Sequence, residues 1–181
     1  MISFKSKIAQ TVLSYFLLNQ ERELYVNEMA KKFKVDRGNL VKKLAEWARE
    51  GILIKSQRGN LSIYRINGNY PFLSELRSIA QKSFGIEELL RTALKKIKGI
   101  KSAIIFGSYA KNKLSAESDI DLFLIGSHNS LEALKVIVKL QKQFDREINI
   151  VDMTEREFNK RKKNKDEFIS HIFADKTIKI I

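Results

Sequence analysis

Two short stretches decide the fold of the C-terminal half of this chain: FGSYA at residues 106–110 and SDIDL at residues 118–122. The first closes the apolar run 102–106, which has the length and composition of a buried strand. The second opens another apolar run, 120–125. Side chains alternate along a strand, so Asp119 and Asp121 share one face, about 7 Å apart. The spacing predicts a pair of carboxylates at the edge of a sheet.

These residue types suit a site for phosphate and a divalent cation. Two carboxylates on one face form a hard-oxygen site for Mg²⁺, which keeps water and phosphate oxygens as its other ligands. Gly107 lets the backbone approach a phosphate closely, and Ser108 with its neighbouring amides can hydrogen-bond that phosphate at a helix start. Lys111 and Lys113 follow on the next loop. They are either phosphate ligands or ordinary solvated lysines.

The Gly-Ser pair at a strand end, with Asp-x-Asp at this spacing on the next strand, resembles the nucleotidyltransferase superfamily that includes DNA polymerase β. The resemblance covers roughly residues 100–155 and is strongest to the minimal nucleotidyltransferases of bacteria and archaea. It implies that Asp119 and Asp121 are catalytic residues and metal ligands, with two Mg²⁺ ions and a bound nucleoside triphosphate. It also implies that the nucleotide is bound by Gly107, Ser108, Lys111 and Lys113.

One position departs from the pattern of this superfamily. Its members usually carry a third carboxylate on a later strand, and the matching position here is Asn149. An asparagine can coordinate a cation but cannot act as a base. Glu147 shares a face with Asn149 by alternation and is the candidate substitute, whereas Asp152 lies on the opposite face unless a bulge intervenes. Catalysis by the domain and its loss therefore both stay open.

A different architecture is predicted for residues 5–66. Apolar periodicity and turn residues indicate a helix, a short strand, a helix, a tight turn, a third helix and a two-stranded hairpin. Asp36 is a good N-cap for the third helix, and Gly51 stands where its C-cap is expected. This order resembles the small winged helix-turn-helix domains of prokaryotic transcription regulators. In that geometry the third helix enters the major groove. The implied DNA-contacting residues are Arg37, Asn39, Lys42 and Lys43 on the third helix, and Arg58 at the tip of the wing.

The charge of the chain favours a polyanionic partner. The formal net charge is +13 and the isoelectric point is about 9.8, and residues 1–72 alone hold 13 lysines and arginines against 6 acidic residues. A lysine-rich or heat-adapted surface would give the same surplus, so charge alone does not identify the partner. The basic run 160–165 is equally consistent with a solvated helix face. A winged helix used only for protein contacts or dimerisation also remains an alternative.

Several classes of protein are disfavoured by what the sequence lacks. There is no cysteine, hence no disulfide framework and no thiol nucleophile. The two histidines, His128 and His171, are far apart in sequence, which argues against a histidine metal cluster. No apolar run reaches the length of a membrane span, and the short one near the N terminus lacks a cleavage site. We therefore expect a cytoplasmic protein without membrane contact.

Together these observations predict an α+β protein with an N-terminal winged helix at 1–70, connecting helices at 71–98 and a minimal nucleotidyltransferase domain at 99–181. The expected function is DNA binding, as a possible homodimer, combined with Mg²⁺-dependent transfer of a nucleotidyl group to a protein or nucleic-acid hydroxyl. The resemblance suggests an antitoxin that modifies a partner toxin. The alternative is a non-catalytic transcription regulator whose degenerate transferase domain binds a nucleotide or a partner protein.

Overall fold

The computed structural model describes residues 4–113, 115 and 118–181. It is a mixed α+β structure that divides into two compact units, Met1–Ile86 and Glu87–Ile181. The division falls within the segment 71–98 that was expected to connect the domains. Within the described residues, no helix combines the length and the hydropathy needed to cross a bilayer.

The first unit packs helices against a three-stranded antiparallel sheet of strand order β1-β3-β2. The turn between its second and third helices places Lys34 at a φ of 51°. Asp36 then caps the third helix by accepting a hydrogen bond from the Asn39 amide at 2.8 Å, as predicted. The elements are α1 (Lys7–Leu18), β1 (Leu24–Tyr25), α2 (Val26–Phe33), α3 (Arg37–Arg49), β2 (Leu53–Arg58), β3 (Leu61–Ile66) and α4 (Leu73–Ser83).

Large side chains fill the core of this unit. Tyr15, Phe16 and Trp47 are almost fully buried in a cluster that also takes in residues of α4. Val41 of α3, although apolar, is 36% exposed. Leu40 and Trp47 already cover the core side of the helix at helical spacing, and Val41 begins the outer face.

The second unit is built on a four-stranded sheet of order β6-β5-β4-β7. Strands β5 and β6 are parallel and are joined through a helix, whereas β4 runs antiparallel to both β5 and β7. The elements are α5 (Ile86–Leu94), β4 (Ile100–Phe106), α6 (Gly107–Ala110), β5 (Ile120–Gly126), α7 (Ser130–Phe144), β6 (Ile148–Met153), α8 (Glu155–Lys163), α9 (Glu167–Ala174) and β7 (Ile178–Lys179).

One face of this sheet is covered by α8 and α9. Phe123 of β5 packs there with Ile169 and Ile172 of α9. Because β5 side chains alternate, Asp121 points to the same face as Phe123. Helix α9 was not predicted from the sequence. It begins at the N-cap Asp166, whose carboxylate accepts a hydrogen bond from the amide of Ile169 at 3.1 Å.

Candidate active site

Three neighbouring strands meet at the acid pair. Asp121 stands opposite Phe106 of β4 on one side and opposite Asn149 of β6 on the other. Residues directly opposite one another in adjacent strands project to the same face, so all three side chains converge. Asp119 immediately precedes β5 and is also half-buried. The loop–strand junction at 119–121 therefore brings both carboxylates to one edge of the sheet.

Asn149 holds the two carboxylates together. Its side-chain amide donates a hydrogen bond to Asp119 Oδ2 at 3.1 Å, and it also hydrogen-bonds the carboxylate of Asp121. Burial raises the pKa of Asp121 above its usual value, and the nearby charge of Asp119 raises this pKa further, while the Asn149 hydrogen bond opposes both. Two like charges in a half-buried setting favour a bound cation.

Gly107 forms the wall of the site next to Asp121. Its φ is +71°, a region that residues with a Cβ rarely adopt. A Cβ at Gly107 would lie 3.3 Å from Asp121 Cγ and would collide with Oδ2 of the same carboxylate. The Asp121 side chain therefore occupies space that only glycine leaves open. Gly107, which was predicted to let the backbone approach a phosphate, thus also leaves room for the carboxylate of Asp121.

Helix α6 is a single turn that begins at this glycine. Ser108 lies in it, and the amides of a first helical turn have no acceptor within the helix. Tyr109 is buried and donates from its hydroxyl to Glu87 Oε1 of α5 at 3.2 Å. The amide of Lys113 bonds back to the carbonyl of Ser108 at 2.9 Å. These contacts hold α6 beside the carboxylates, and Ser108 is the second residue of this helix.

The two predicted lysines have different surroundings. The Lys111 ammonium lies 2.5 Å from Asp175 Oδ2, just past the end of α9. The hydrogen bond from Lys111 holds the pKa of Asp175 below its usual value, with smaller contributions from the charges of His171 and Lys113. Lys113 is exposed. Lys111 would therefore have to leave Asp175 to contact a phosphate, whereas Lys113 forms no ion pair with the residues that the structure describes.

Sequence reasoning did not single out Arg146, which organises the loop before Asp119. The side chain is 7% exposed, and its Nη1 donates to the carbonyls of Ser115 and Ser118, each at 2.9 Å. A buried arginine is costly unless its donors are satisfied. The signal in the sequence that could have identified Arg146 was its position just before β6, a strand of the site. Arg146 positions the residue that precedes Asp119.

The candidate substitutes for a third acid do not join the pair. Glu147 is exposed, and its backbone carbonyl accepts from the Ile120 amide at 3.0 Å. Among the described residues, no group of three acidic, histidine or cysteine side chains could hold a metal ion. Asp152 lies elsewhere, 3.3 Å from His128 Nε2 and hydrogen-bonded to Ser130. The donor set at the described site is two carboxylates and an amide, which fits Mg²⁺ completed by phosphate oxygens and water.

In the first unit, the residues predicted to contact DNA do not all project outward. Arg37, Asn39 and Lys42 are exposed along α3, and Arg37 Nε donates to Asn27 Oδ1 at 2.9 Å. Arg58 is exposed on the hairpin and lies 3.4 Å from Glu23. Lys43 requires a correction. Its ammonium pairs with Glu46 at 2.7 Å and lies over the Trp47 ring, leaving 19% of the side chain exposed.

Comparison with known proteins assigns the family. A sequence profile described as "Polymerase beta, Nucleotidyltransferase" matches residues 88–177. The chain is 34% identical over 77 residues to the "Putative protein adenylyltransferase MJ0604" of Methanocaldococcus jannaschii, an alignment covering 42% of this chain and 77% of that protein. The chain belongs to the polymerase β nucleotidyltransferase family. The matched residues include the whole acid, glycine and asparagine site.

Two solved structures give weaker superpositions. One is described as "a putative nucleotidyltransferase from Sulfolobus solfataricus", with 17% identity, a TM-score of 0.29, and coverage of 41% of this chain and 68% of that chain. The other is TrmBL2, described as "an archaeal chromatin protein", with 17% identity, a TM-score of 0.30, and coverage of 88% and 67%.

Replacing Asn149 by Asp is expected to lower stability at neutral pH and to strengthen the loss of stability that the raised pKa of Asp121 causes as pH rises. The change removes the donor and adds a third negative charge, at an expected cost of about 1–3 kcal/mol. Carboxyl pKa values raised in the folded state mean that the folded protein holds more protons than the unfolded one. Stability conferred at low pH is then lost as pH rises through the raised pKa values.

Thermal melts of wild type and Asn149→Asp, from pH 4 to pH 8 with and without Mg²⁺, would measure this. The gap between the two proteins should widen with pH and narrow on adding Mg²⁺. Asn159→Asp, an exposed asparagine of α8, is the control for added charge alone. Equal melting curves for wild type and Asn149→Asp at all pH values would show that Asn149 does not support the carboxylates.

Proposed function

We propose that this protein transfers a nucleotidyl group from a nucleoside triphosphate to a hydroxyl, using the site around Asp119 and Asp121. The single observation that carries the proposal is the contact of the Asp121 carboxylate with Gly107 at the start of α6. Asp121, one of the two proposed cation ligands, lies beside Gly107, and the next residue, Ser108, is where we propose that the triphosphate is held. Family membership supports the reaction class.

Asp119 and Asp121 would hold Mg²⁺, with Asn149 as a neutral neighbour. A bound Mg²⁺ pair would neutralise the triphosphate and lower the pKa of the attacking hydroxyl. The residues of the chain supply the remaining requirements. In this proposal Ser108 and the adjoining amides would orient the phosphates, and Lys113 would meet the charge that develops on the departing pyrophosphate. Asn149 supplies no base, so a carboxylate of the pair or the acceptor's own surroundings must take the hydroxyl proton.

For the group and the acceptor, we propose an adenylyl group and a hydroxyl on a partner protein. The support is the name of the Methanocaldococcus jannaschii relative, "Putative protein adenylyltransferase MJ0604". An antitoxin acting on a partner toxin is the particular form of this proposal that the family resemblance suggests. Incubation with labelled ATP and Mg²⁺, alone and with proteins encoded beside this one, tests it. Label must appear on protein and depend on Mg²⁺.

The second candidate is a non-catalytic regulator whose transferase domain binds a nucleotide or a partner. Asn149 in the place of a third acid is the observation that favours it. The two candidates differ in one measurement. The regulator would bind ATP without releasing pyrophosphate, whether or not an acceptor is present, while the transferase would release one pyrophosphate for each label transferred.

We further propose that the first unit binds DNA as a winged helix, through the outer face of α3 and the β2–β3 hairpin. The order of its elements and the sheet order β1-β3-β2 support this. Arg37, Asn39 and Lys42 lie along the exposed face of α3, and Arg58 extends the positive surface to the hairpin. Binding as a homodimer, which would read two half-sites, is part of the same proposal.

Replacing Arg37 and Lys42 together by alanine is expected to weaken DNA binding about tenfold or more at moderate salt. Loss of two phosphate contacts should also reduce the slope of log affinity against log salt by about 2. Fluorescence anisotropy with duplex DNA at several salt concentrations measures both. Lys95→Ala with Lys96→Ala removes the same charge from the second unit and is the matched control. Equal losses in both double variants would mean that binding follows total charge and not α3.

A further inference from the structure

An exposed phenylalanine stands on the face of the sheet that carries the acid pair. Phe168, in the first turn of α9, is 38% exposed. Its ring meets Phe106 edge-on with centroids 6.2 Å apart, and it meets Phe123 in the same manner at 6.4 Å. One side of the ring is thus fixed by two aromatic neighbours, while part of it remains open to solvent. The ring is held in place without being buried.

Both of these neighbours adjoin Asp121. Phe106 is its cross-strand partner, and such pairs have Cβ atoms about 4.5–5.5 Å apart. Phe123 is two residues further along β5 on the same face, about 7 Å away. The exposed ring of Phe168 therefore lies one side chain beyond the carboxylates. At the other end of α9, Asp175 contacts Lys111, which follows α6 directly. Residues at the two ends of α9 therefore contact side chains that adjoin the site.

Core packing accounts for only part of this side chain. The buried contacts of α9 with the sheet are made by Ile169 and Ile172, which both lie in the cluster around Phe123. Phe173, the other exposed phenylalanine of the helix, packs on Phe158 of α8 with centroids 6.0 Å apart. Among the described residues, Phe173 makes no ring contact with the two aromatic residues that adjoin Asp121. Only Phe168 of the two combines exposure with a position next to the acid pair.

We propose that Phe168 is the platform on which the nucleobase of the substrate nucleotide stacks. The inference rests on the proposed function, because it adds a base-binding surface to the same phosphate and cation site. A flat aromatic ring offers a face to any nucleobase, and stacking is tolerant of base identity. The triphosphate is held at Ser108 and the acid pair, and the base extends across Phe106 to Phe168. Larger purine rings cover more of the platform than pyrimidines do.

The experiment compares two ligands that differ in the base. Isothermal titration calorimetry with the full chain and Mg²⁺ measures affinity for ATP and for inorganic tripolyphosphate, which has no base. Phe168→Ala is expected to weaken ATP binding about tenfold and to leave tripolyphosphate binding within twofold of wild type. Phe168→Trp, which keeps an aromatic face, is expected to retain ATP affinity. Phe168→Leu keeps the apolar contact with Phe106 and should behave like the alanine variant.

Phe173→Ala is the matched control, since it removes a 46% exposed phenylalanine from the same helix. It should bind both ligands as wild type does. The inference is overturned if Phe168→Ala and Phe168→Leu bind ATP as tightly as wild type, or if they weaken ATP and tripolyphosphate equally. A wild-type protein that binds neither ligand would instead reject the proposed function, and that result is visible before any variant is made.

Discussion

Replacing Asp119 and Asp121 together by asparagine is expected to reduce nucleotidyl transfer at least about a thousandfold. Asparagine keeps the size of each side chain but removes both negative charges, so a cation loses the only two carboxylates that converge among the described residues of the site. Stabilisation of phosphate charge by a bound metal contributes several kcal/mol to such a transition state, and each 1.4 kcal/mol is about tenfold in rate. Transfer of label from ATP at fixed Mg²⁺ measures the effect.

Folding should not be the cause of this loss. Asp121 is half-buried with a raised pKa and lies beside the charge of Asp119, so neutral replacements relieve repulsion. We expect the double variant to melt at or above the wild-type temperature. Glu147→Gln, which removes an exposed carboxylate from the adjoining strand, is the matched control and should keep its activity. Transfer that survives the double replacement would exclude this site as the catalytic one.

Replacing Gly107 by alanine is expected to lower transfer about a hundredfold while most of the fold persists. The new Cβ would occupy the position of the Asp121 carboxylate, which must then move away from α6. A shift of about 1 Å in a catalytic group can cost two orders of magnitude in rate. The positive φ adds roughly 1–2 kcal/mol of backbone strain to the folded state. Transfer rates and thermal melts of the same preparation separate the two effects.

Gly51→Ala is the control that separates backbone strain from displacement of the Asp121 carboxylate. Gly51 has a φ of +76°, close to the +71° of Gly107, but a Cβ there would meet no atom within 4 Å. Both variants should lose similar stability, and only Gly107→Ala should lose transfer. If both variants kept full activity, the contact between Gly107 and Asp121 would have no part in catalysis, and the proposal would lose the observation on which it rests.

The sequence predicted the parts of the site that depend on strand periodicity. Alternation along one strand predicted that Asp119 and Asp121 share a face, and the resemblance to nucleotidyltransferases identified Asn149 as the position of the expected third acid. The structure adds the register that sets Asn149 opposite Asp121. Register is strongly specified where one face of a strand is buried, because a slip by one residue would turn the buried side chains to the other face.

Strand periodicity did not predict which side chains pair with one another, and it did not predict short helices. The ion pair of Lys111 with Asp175 joins positions 64 residues apart, and nothing in the local sequence marks either partner. Lys43 was expected to project outward, but Glu46 lies one helical turn away and Trp47 offers an aromatic face, so the lysine folds along the helix. Helix α9 has eight residues, too few for its periodicity to stand out.

The hydrogen bond from Asn149 to the acid pair has a consequence for how the site accepts its cation. A carboxamide presents N–H on one side and a carbonyl oxygen on the other, and a half-turn about its last torsion exchanges them. When its N–H group faces the site, Asn149 donates to the carboxylates and reduces the repulsion between them. When its carbonyl oxygen faces the site, Asn149 offers the cation one more hard oxygen ligand. The chain can thus reverse the polarity of one wall of the site by rotating a single amide, without displacing a strand.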